Sequence, residues 1–338
     1  DSSGSPDLDP AVKRFFAIPL IPYDINWVYR IRDYFFSVYE NTLSDLAIFA
    51  GALLLFFVGS RLVMSRIAIR SRRKIELVVG GWGTRGKSGT ERLKAALFEA
   101  IGSSQVSKST GCEAMFLYAY PFGKTREMFL FRPYDKATIW EQYDLVKLAT
   151  RLSSRIFLWE CMALTPTYVR ILQHQWMRDD YATITNTYPD HEDIQGPAGY
   201  NIPLVMTEFI PRNGTLVTTE EQMLPILSAA SARSNTSIKG IGWQQAELIA
   251  QDVLERFPYE EHPYNIALVV ALAEEMGIDP DFTVKEMADR VIADIGVLKA
   301  FPPSRVRGRT LQFINGMSAN ERFGTLSNWR RMEFDSHD

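Results

Sequence analysis

Cysteine is scarce in this sequence. Its 338 residues include two, Cys112 and Cys161, widely separated and with no C-x-x-C pair. That argues against a disulfide framework or a cysteine-built zinc site, and reduced thiols are the expectation. No single charge dominates: 37 Lys and Arg stand against 40 Asp and Glu, a formal net charge of −3. Composition therefore predicts no nucleic-acid partner. No internal repeat is evident, and no N-K-x-D tetrad for guanine occurs. What is present suits a globular protein with a sizeable core. The chain is 46% hydrophobic and 23% charged, and its length allows one large or two ordinary domains.

Residues 1–10 are polar, contain two prolines and read as a disordered lead. The chain begins at Asp1 rather than Met, which leaves open whether it is a fragment of a longer one. Residues 11–42 mix charges with aromatics such as Phe15, Tyr23, Trp27 and Tyr34. They suit either a membrane–water interface or a short helical hairpin packed on the protein itself. From Leu46 to Ser60 no charge occurs. Extended to Met64, this run approaches the roughly 20 residues of a bilayer-spanning helix. Arg61, Arg66, Arg70, Arg72, Arg73 and Lys74 follow with no acid among them. Positive charge stays on the cytoplasmic side, so the chain beyond is expected in the cytoplasm, beneath an inner membrane. A buried core helix is the competing reading. A signal peptide is not, because the run is internal and its basic cluster follows it.

From Ile75 strands and helices alternate, which predicts an α/β fold with a mainly parallel sheet flanked by helices. The apolar run Leu77-Val78-Val79 leads into Gly81-Trp82-Gly83-Thr84-Arg85-Gly86-Lys87-Ser88, then Leu93, Ala96, Leu97, Ala100 and Ile101 recur at helical spacing. Strand, G-x-x-x-x-G-K-S loop and helix form a phosphate cradle. Glycines let backbone N–H groups turn inward, the helix adds its positive end, Lys87 reaches terminal phosphates and Ser88 can ligate Mg²⁺.

Ligands of such sheets bind at the carboxyl ends of strands. Two further predicted strand ends carry polar residues: Ile156-Phe157-Leu158-Trp159 ends in Glu160, and Tyr181–Thr185 leads to Asp190, His191 and Asp193. A carboxylate beside bound phosphates is a natural Mg²⁺ ligand. Taken alone, Glu160 is more commonly a solvated strand-end acid, and His191 and Asp193 are equally a helix cap and a surface charge.

The ordered set G-T-R-G-K-S at 83–88, Glu160-Cys161-Met162-Ala163 and the segment from Asn186 to Asp193 with D-H-x-D resembles the Mur ligase family. Within it, the glycine loop, Lys108-Ser109-Thr110-Gly111, Glu160-Cys161-Met162-Ala163 and F-I-N-G-M-S-A-N-E at 313–321 are similar to the capsule-forming branch that makes poly-γ-glutamate. The resemblance covers about residues 75–330 and implies a Mur ligase central domain over 75–305. A juxtamembrane segment (1–44) and a transmembrane helix (45–64) precede it, and the start of an incomplete C-terminal ligase domain (306–338) follows. It implies ATP and a pair of Mg²⁺ ions as cofactors, with Gly83, Thr84, Arg85, Gly86, Lys87, Ser88 and Gly89 around the phosphates. Ser88 and Glu160 would hold one Mg²⁺ and His191 help hold a second. Lys87, Glu160 and His191 would be the catalytic set. Asn265 matches an adenine-contacting asparagine, Arg305 or Arg307 a phosphate-side arginine, and Asn315 and Asn320 open the C-terminal domain. Two family features are missing: an identifiable carbamylated lysine, with Lys239 too uncertain to name, and most of the C-terminal domain.

The implied activity is amide-bond formation through an acyl phosphate at a membrane-anchored site, with ADP as product. Glutamate or a similar amino acid and a growing polymer would be substrates. Other membrane subunits and an oligomer would be partners. Two other readings stay open: another P-loop NTPase or kinase, and a nucleotide-binding regulatory subunit of a membrane complex.

Overall fold

The computed structural model describes residues 31, 43–111, 113–132, 137–319 and 322–336. Apart from Ile31, the expected lead and the aromatic segment at 11–42 therefore lie outside the described residues, as does Cys112. The chain divides into two compact units, the second beginning at Met64.

Helix α1 (Leu43–Arg72) opens the described chain. Its 30 residues make a helix about 45 Å long. Leu54, Leu55 and Phe56 are exposed. Its most apolar 18-residue window has a mean hydropathy of 2.2 and no buried residue, so it is long and apolar enough to cross a membrane. The predicted span stops at Met64, whereas the helix continues unbroken to Arg72. Residues 65–72 contain neither proline nor glycine to stop it. Near the end of the helix Ala68 and Ser71 are buried, and Thr150 Oγ1 donates to Ser71 O at 3.1 Å.

The second unit is built on an eight-stranded sheet, in the order β4-β3-β2-β5-β1-β6-β7-β8. The strands are β1 (Leu77–Trp82), β2 (Gln105–Ser109), β3 (Met115–Ala119), β4 (Arg126–Phe129), β5 (Ile156–Glu160), β6 (Tyr181–Ile184), β7 (Thr215–Thr218) and β8 (Ser237–Gly240). From β2 to β8 every pairing is parallel. Strands β3 and β4 add an antiparallel hairpin at one edge. Sequence reading assigned no strand to either. β3 (MFLYA) is apolar or aromatic throughout, so its alternating burial leaves no polar alternation to read, and β4 is exposed along its whole length.

Helices cover both faces. On one face Val78, Phe157, Trp159, Ala182 and Leu216 pack with Val146 of α3 (Trp140–Arg151), Val169 of α4 (Pro166–Arg170) and Leu172 and Trp176 of the π-helical turn that follows. On the other, Val79, Leu158 and Val217 meet Ala95 and Phe98 of α2 (Lys87–Ala100). Short helices α5 (Glu192–Gln195), α6 (Asn201–Met206), α7 (Leu224–Arg233), α8 (Trp243–Glu247) and α9 (Gln251–Leu254) precede α10 (Pro263–Glu275) and α11 (Pro280–Arg290), and α12 (Arg322–Arg331) closes the chain. Leu93 and Leu97 of α2 pack with Ile266 and Val269 of α10 and Met287 of α11. Each such fully buried side chain contributes about 1.5–3 kcal/mol. The core thus clamps the phosphate-loop helix between sheet and helices.

A buried polar knot lies inside the first face. Trp159 Nε1 donates to Asp179 Oδ1 at 2.7 Å and Gln173 Nε2 to Asp179 Oδ2 at 2.8 Å. Burial pushes the Asp179 carboxyl up from 3.8 to about 7, against those two hydrogen bonds. Its stabilising contribution is full below the unfolded value and is lost as pH rises through about 7. Asp179→Asn is therefore expected to flatten the melting-temperature profile between about pH 4 and pH 7, a change that scanning calorimetry across pH reads directly.

Candidate active site

Strand β1 delivers the glycine loop to the carboxyl edge of the sheet. Gly83 has φ 145° and Gly86, the N-cap of α2, has φ 79°, a left-handed region that only glycine enters without strain. Space forbids a side chain as well: a Cβ at Gly83 would collide with Thr185 Oγ1, and one at Gly86 with Asn265 Oδ1. Gly86→Ala is expected to cost about 1–2 kcal/mol from the backbone alone and to raise the KM for nucleotide, measured by calorimetry and steady-state kinetics.

The residues after β6 grip the loop. Thr84 N donates to Asn186 O at 3.1 Å and Arg85 N to Asn186 Oδ1 at 2.9 Å. Asn186 Nδ2 returns a bond to Arg85 O at 3.1 Å, and Thr185 Oγ1 donates to the same carbonyl. Sequence reasoning gave Thr185 and Asn186 no role. Their signal was a Thr-Asn pair at the end of a strand that neighbours β1.

Lys87 is the first residue of α2, and its Nζ donates to Thr84 O at 3.2 Å. Burial pulls its ammonium below the usual lysine range, opposed by the charges of Glu160 and Asp190. Ser88 Oγ donates to Glu160 Oε2 at 2.9 Å, and Thr110 N to the same oxygen at 2.8 Å. Glu160 ends β5 and is only 1% exposed. Gln142 Nε2 bonds its backbone carbonyl at 3.0 Å. The second carboxylate oxygen, Oε1, is buried and has no hydrogen-bond partner among the described residues. A buried anionic oxygen left bare beside a serine hydroxyl fits a hard cation such as Mg²⁺, which takes one or two protein oxygens and completes its shell with phosphate oxygens and water. Among the described residues no group of three or more His, Cys, Asp or Glu could hold a metal ion alone.

Two more carboxylates lie close by. A Cβ at Gly111 would collide with the Asp294 carboxylate and stand 3.3 Å from Ser88 Cβ, so Asp294, which sequence reading did not single out, borders Ser88. On the other side of the loop Arg85 lies 4.0 Å from Asp190 Oδ2, and His191 Nε2 4.0 Å from Asp190 Oδ1. The His191 side chain is 54% exposed, and the residue caps α5 at φ 48°. Asp193 is exposed on the same short helix.

Asn265 sits in the first turn of α10, with its amide beside Gly86 and Gly89. Its Nδ2 donates to Glu261 Oε1 at 2.8 Å, and that buried carboxylate also accepts from Tyr259 Oη at 2.6 Å. Arg331 of α12 donates to the carbonyls of Glu260 and Glu261 at 3.1 and 3.0 Å.

Other expected residues fall elsewhere. Arg305 lies on β10 (Ser304–Val306), and Arg307, at φ 50°, in the turn to β11 (Arg309–Leu311). Both are exposed, and among the described residues no hydrogen bond or ion pair joins either to the loop. Asn315 lies on β12 (Ile314–Asn315), paired with β9 (Lys299–Ala300), and bonds Ile295 O at 2.7 Å. Asn320 lies outside the described residues. Lys239 pairs with Glu274 at 2.8 Å and Glu275 at 3.2 Å, an ammonium held charged between two carboxylates.

No family model matches the chain. Curated relatives do. The chain is 31% identical over 259 residues to "Capsule biosynthesis protein CapB" of Bacillus anthracis, covering 74% of this chain and 52% of that protein. It is 28% identical over 254 residues to "PGA synthase CapB" of Bacillus subtilis (strain 168), covering 74% of this chain and 62% of that protein. This chain is a relative of CapB. It spans 52% and 62% of the lengths of those two proteins. Solved structures share the fold of this CapB relative. E. coli FolC in complex with ADP superposes with a TM-score of 0.58 at 15% identity, over 80% of this chain and 69% of that one. The G51S mutant of L. casei FPGS gives 0.56 at 13% identity, over 82% and 76%. The FPGS–AMPPCP–folate complex gives 0.55 at 12% identity, over 82% and 75%. The expected Mur-ligase-type fold is thereby borne out for the CapB relative.

Proposed function

We propose that this chain forms the nucleotide-binding part of a membrane-anchored, ATP-dependent amide ligase that makes γ-glutamyl bonds in poly-γ-glutamate synthesis. The observation that carries the reading is Glu160, bonded to Ser88 of the glycine loop and with one oxygen bare, in a relative of CapB. The nucleotide reading draws on FolC and FPGS, whose complexes hold ADP or AMPPCP on the same fold.

The reaction has two steps. A substrate carboxylate oxygen attacks the γ-phosphorus of ATP, the bond to the bridging oxygen breaks, and ADP leaves. An amine nitrogen then attacks the acyl carbon, phosphate departs with the former carboxylate oxygen, and the ammonium proton goes to a base. Asp190 and Asp193 are the candidate bases. The loop N–H groups and Lys87 hold the phosphates in line and neutralise developing charge. Mg²⁺, when bound at Ser88 and Glu160, supplies further neutralisation of the transferring phosphoryl group. A second ion near His191 belongs to the same proposal, supported by the carboxylate of Asp190 beside it. Asn265 would meet the base of the nucleotide, and Arg305 or Arg307 would reach the phosphates on closure of the C-terminal segment.

Helix α1 is the proposed anchor, with the second unit on the cytoplasmic face of an inner membrane beside other synthase subunits and as an oligomer. The growing polymer and glutamate are the proposed substrates. The test uses the full-length protein in membranes, with ATP and single amino acids. Release of ADP that depends on glutamate supports the ligase. Turnover indifferent to every amino acid, or formation of AMP, overturns it.

A further inference from the structure

The strands of the second unit start along one edge, and that edge carries an unexplained surface. The turn between β3 and β4 follows Ala119, whose register partner Gln105 is the first residue of β2, and Ile156 in turn aligns with Gln105 and with Leu77, the first residue of β1. Phe122 N donates to Gly102 O at 3.2 Å, which holds the turn against the end of α2. The Phe122 side chain is nonetheless 91% exposed, with Tyr120 and Ile101 exposed around it.

The basic end of α1 lies on the same edge. Arg72 pairs with Asp180 at 2.9 Å, and Asp180 Oδ2 also accepts from Val78 N at 2.8 Å, next to the start of β1. Carboxylates here are taken: Glu76 pairs with Arg155 at 2.7 Å, and Glu99 with Arg290 at 3.3 Å while accepting from Thr125 N at 2.7 Å. Cations are not. Among the described residues Arg66, Arg70, Arg73, Lys74, Lys124 and Arg126 are exposed and make no ion pair. An exposed aromatic flanked by unpaired cations, on the edge where Arg72 is anchored, matches the chemistry of an anionic bilayer surface.

We infer that the β3–β4 turn is a membrane contact: Phe122 enters the headgroup region of an anionic bilayer, and Lys124 and Arg126 meet lipid phosphates. This rests on the membrane-anchored reading of α1. It has a consequence for the site. The phosphate loop lies at the carboxyl edge, about 17 Å away along five-residue strands, so the nucleotide faces away from the bilayer.

The test places a spin label, one at a time, at Phe122→Cys, Leu55→Cys and Tyr188→Cys. The full chain carries Cys112→Ser and Cys161→Ala, and each variant is first shown to melt like its parent. Oxygen and nickel-chelate collision rates are read in nanodiscs with and without anionic phosphatidylglycerol. The expected result is a several-fold higher oxygen-to-nickel ratio at 122 than at the exposed Tyr188 position, falling when the anionic lipid is removed or when Lys124→Glu is added. A label at 122 as nickel-accessible as that at 188, with Leu55 in lipid, overturns the turn contact and leaves the anchor intact. Nickel access at Leu55 overturns both. A label at 122 shielded from both reagents places a protein there, a second copy or another subunit, and also overturns the proposal.

Discussion

Lys87→Ala is expected to reduce glutamate-dependent ADP release by about 10²–10³-fold, the scale of losing one preorganised charge at a phosphoryl-transfer centre. The melting temperature should stay level or rise. Burial already pulls the ammonium below its usual range, against the charges of Glu160 and Asp190, and among the described residues its hydrogen bond goes to Thr84 O. A cation drawn partly out of water is a cost to the fold, one that bound phosphates would offset on the proposed reading. The loss should therefore appear in turnover and nucleotide affinity, while calorimetry of the nucleotide-free protein shows no penalty. A variant that unfolds instead would make Lys87 a structural residue. One that still turns over would sever the loop from the chemistry.

Glu160→Gln is the second large effect, again about 10²–10³-fold in turnover, together with a higher Mg²⁺ concentration for half-maximal nucleotide binding. The substitution separates two jobs of one side chain. An amide oxygen can still accept from Ser88 Oγ and Thr110 N, so the fold should hold. The amide nitrogen replaces the bare oxygen and cannot ligate a cation. Glu160→Ala makes the contrast, because it strands both donors at a buried site and should cost about 1–3 kcal/mol of stability as well. A Mg²⁺ titration of fluorescent nucleotide binding reads the difference without relying on activity.

The phosphate loop, the parallel strands and Glu160 were legible because each rests on local pattern. A glycine loop between strand and helix, or four apolar residues ending in an acid, is visible in a short window. The edge hairpin was not, since β3 is apolar or aromatic at every position and β4 is exposed. The contacts of Thr185, Asn186 and Asp294 also escaped. Thr185 and Asn186 bond the Arg85 carbonyl from 100 and 101 residues away and Asp294 borders Ser88 from about 200, and sequence spacing carries no trace of such contacts. The helix that carries the expected span runs on to Arg72.

The central claim is that a carboxylate attacks the γ-phosphate of ATP. The most direct measurement supplies glutamate labelled with ¹⁸O in its γ-carboxyl group to the full-length protein in membranes and analyses the released phosphate by mass spectrometry. An acyl phosphate transfers one labelled oxygen to each phosphate as the amide bond forms. Phosphate without label, released while the polymer still lengthens, would contradict the account.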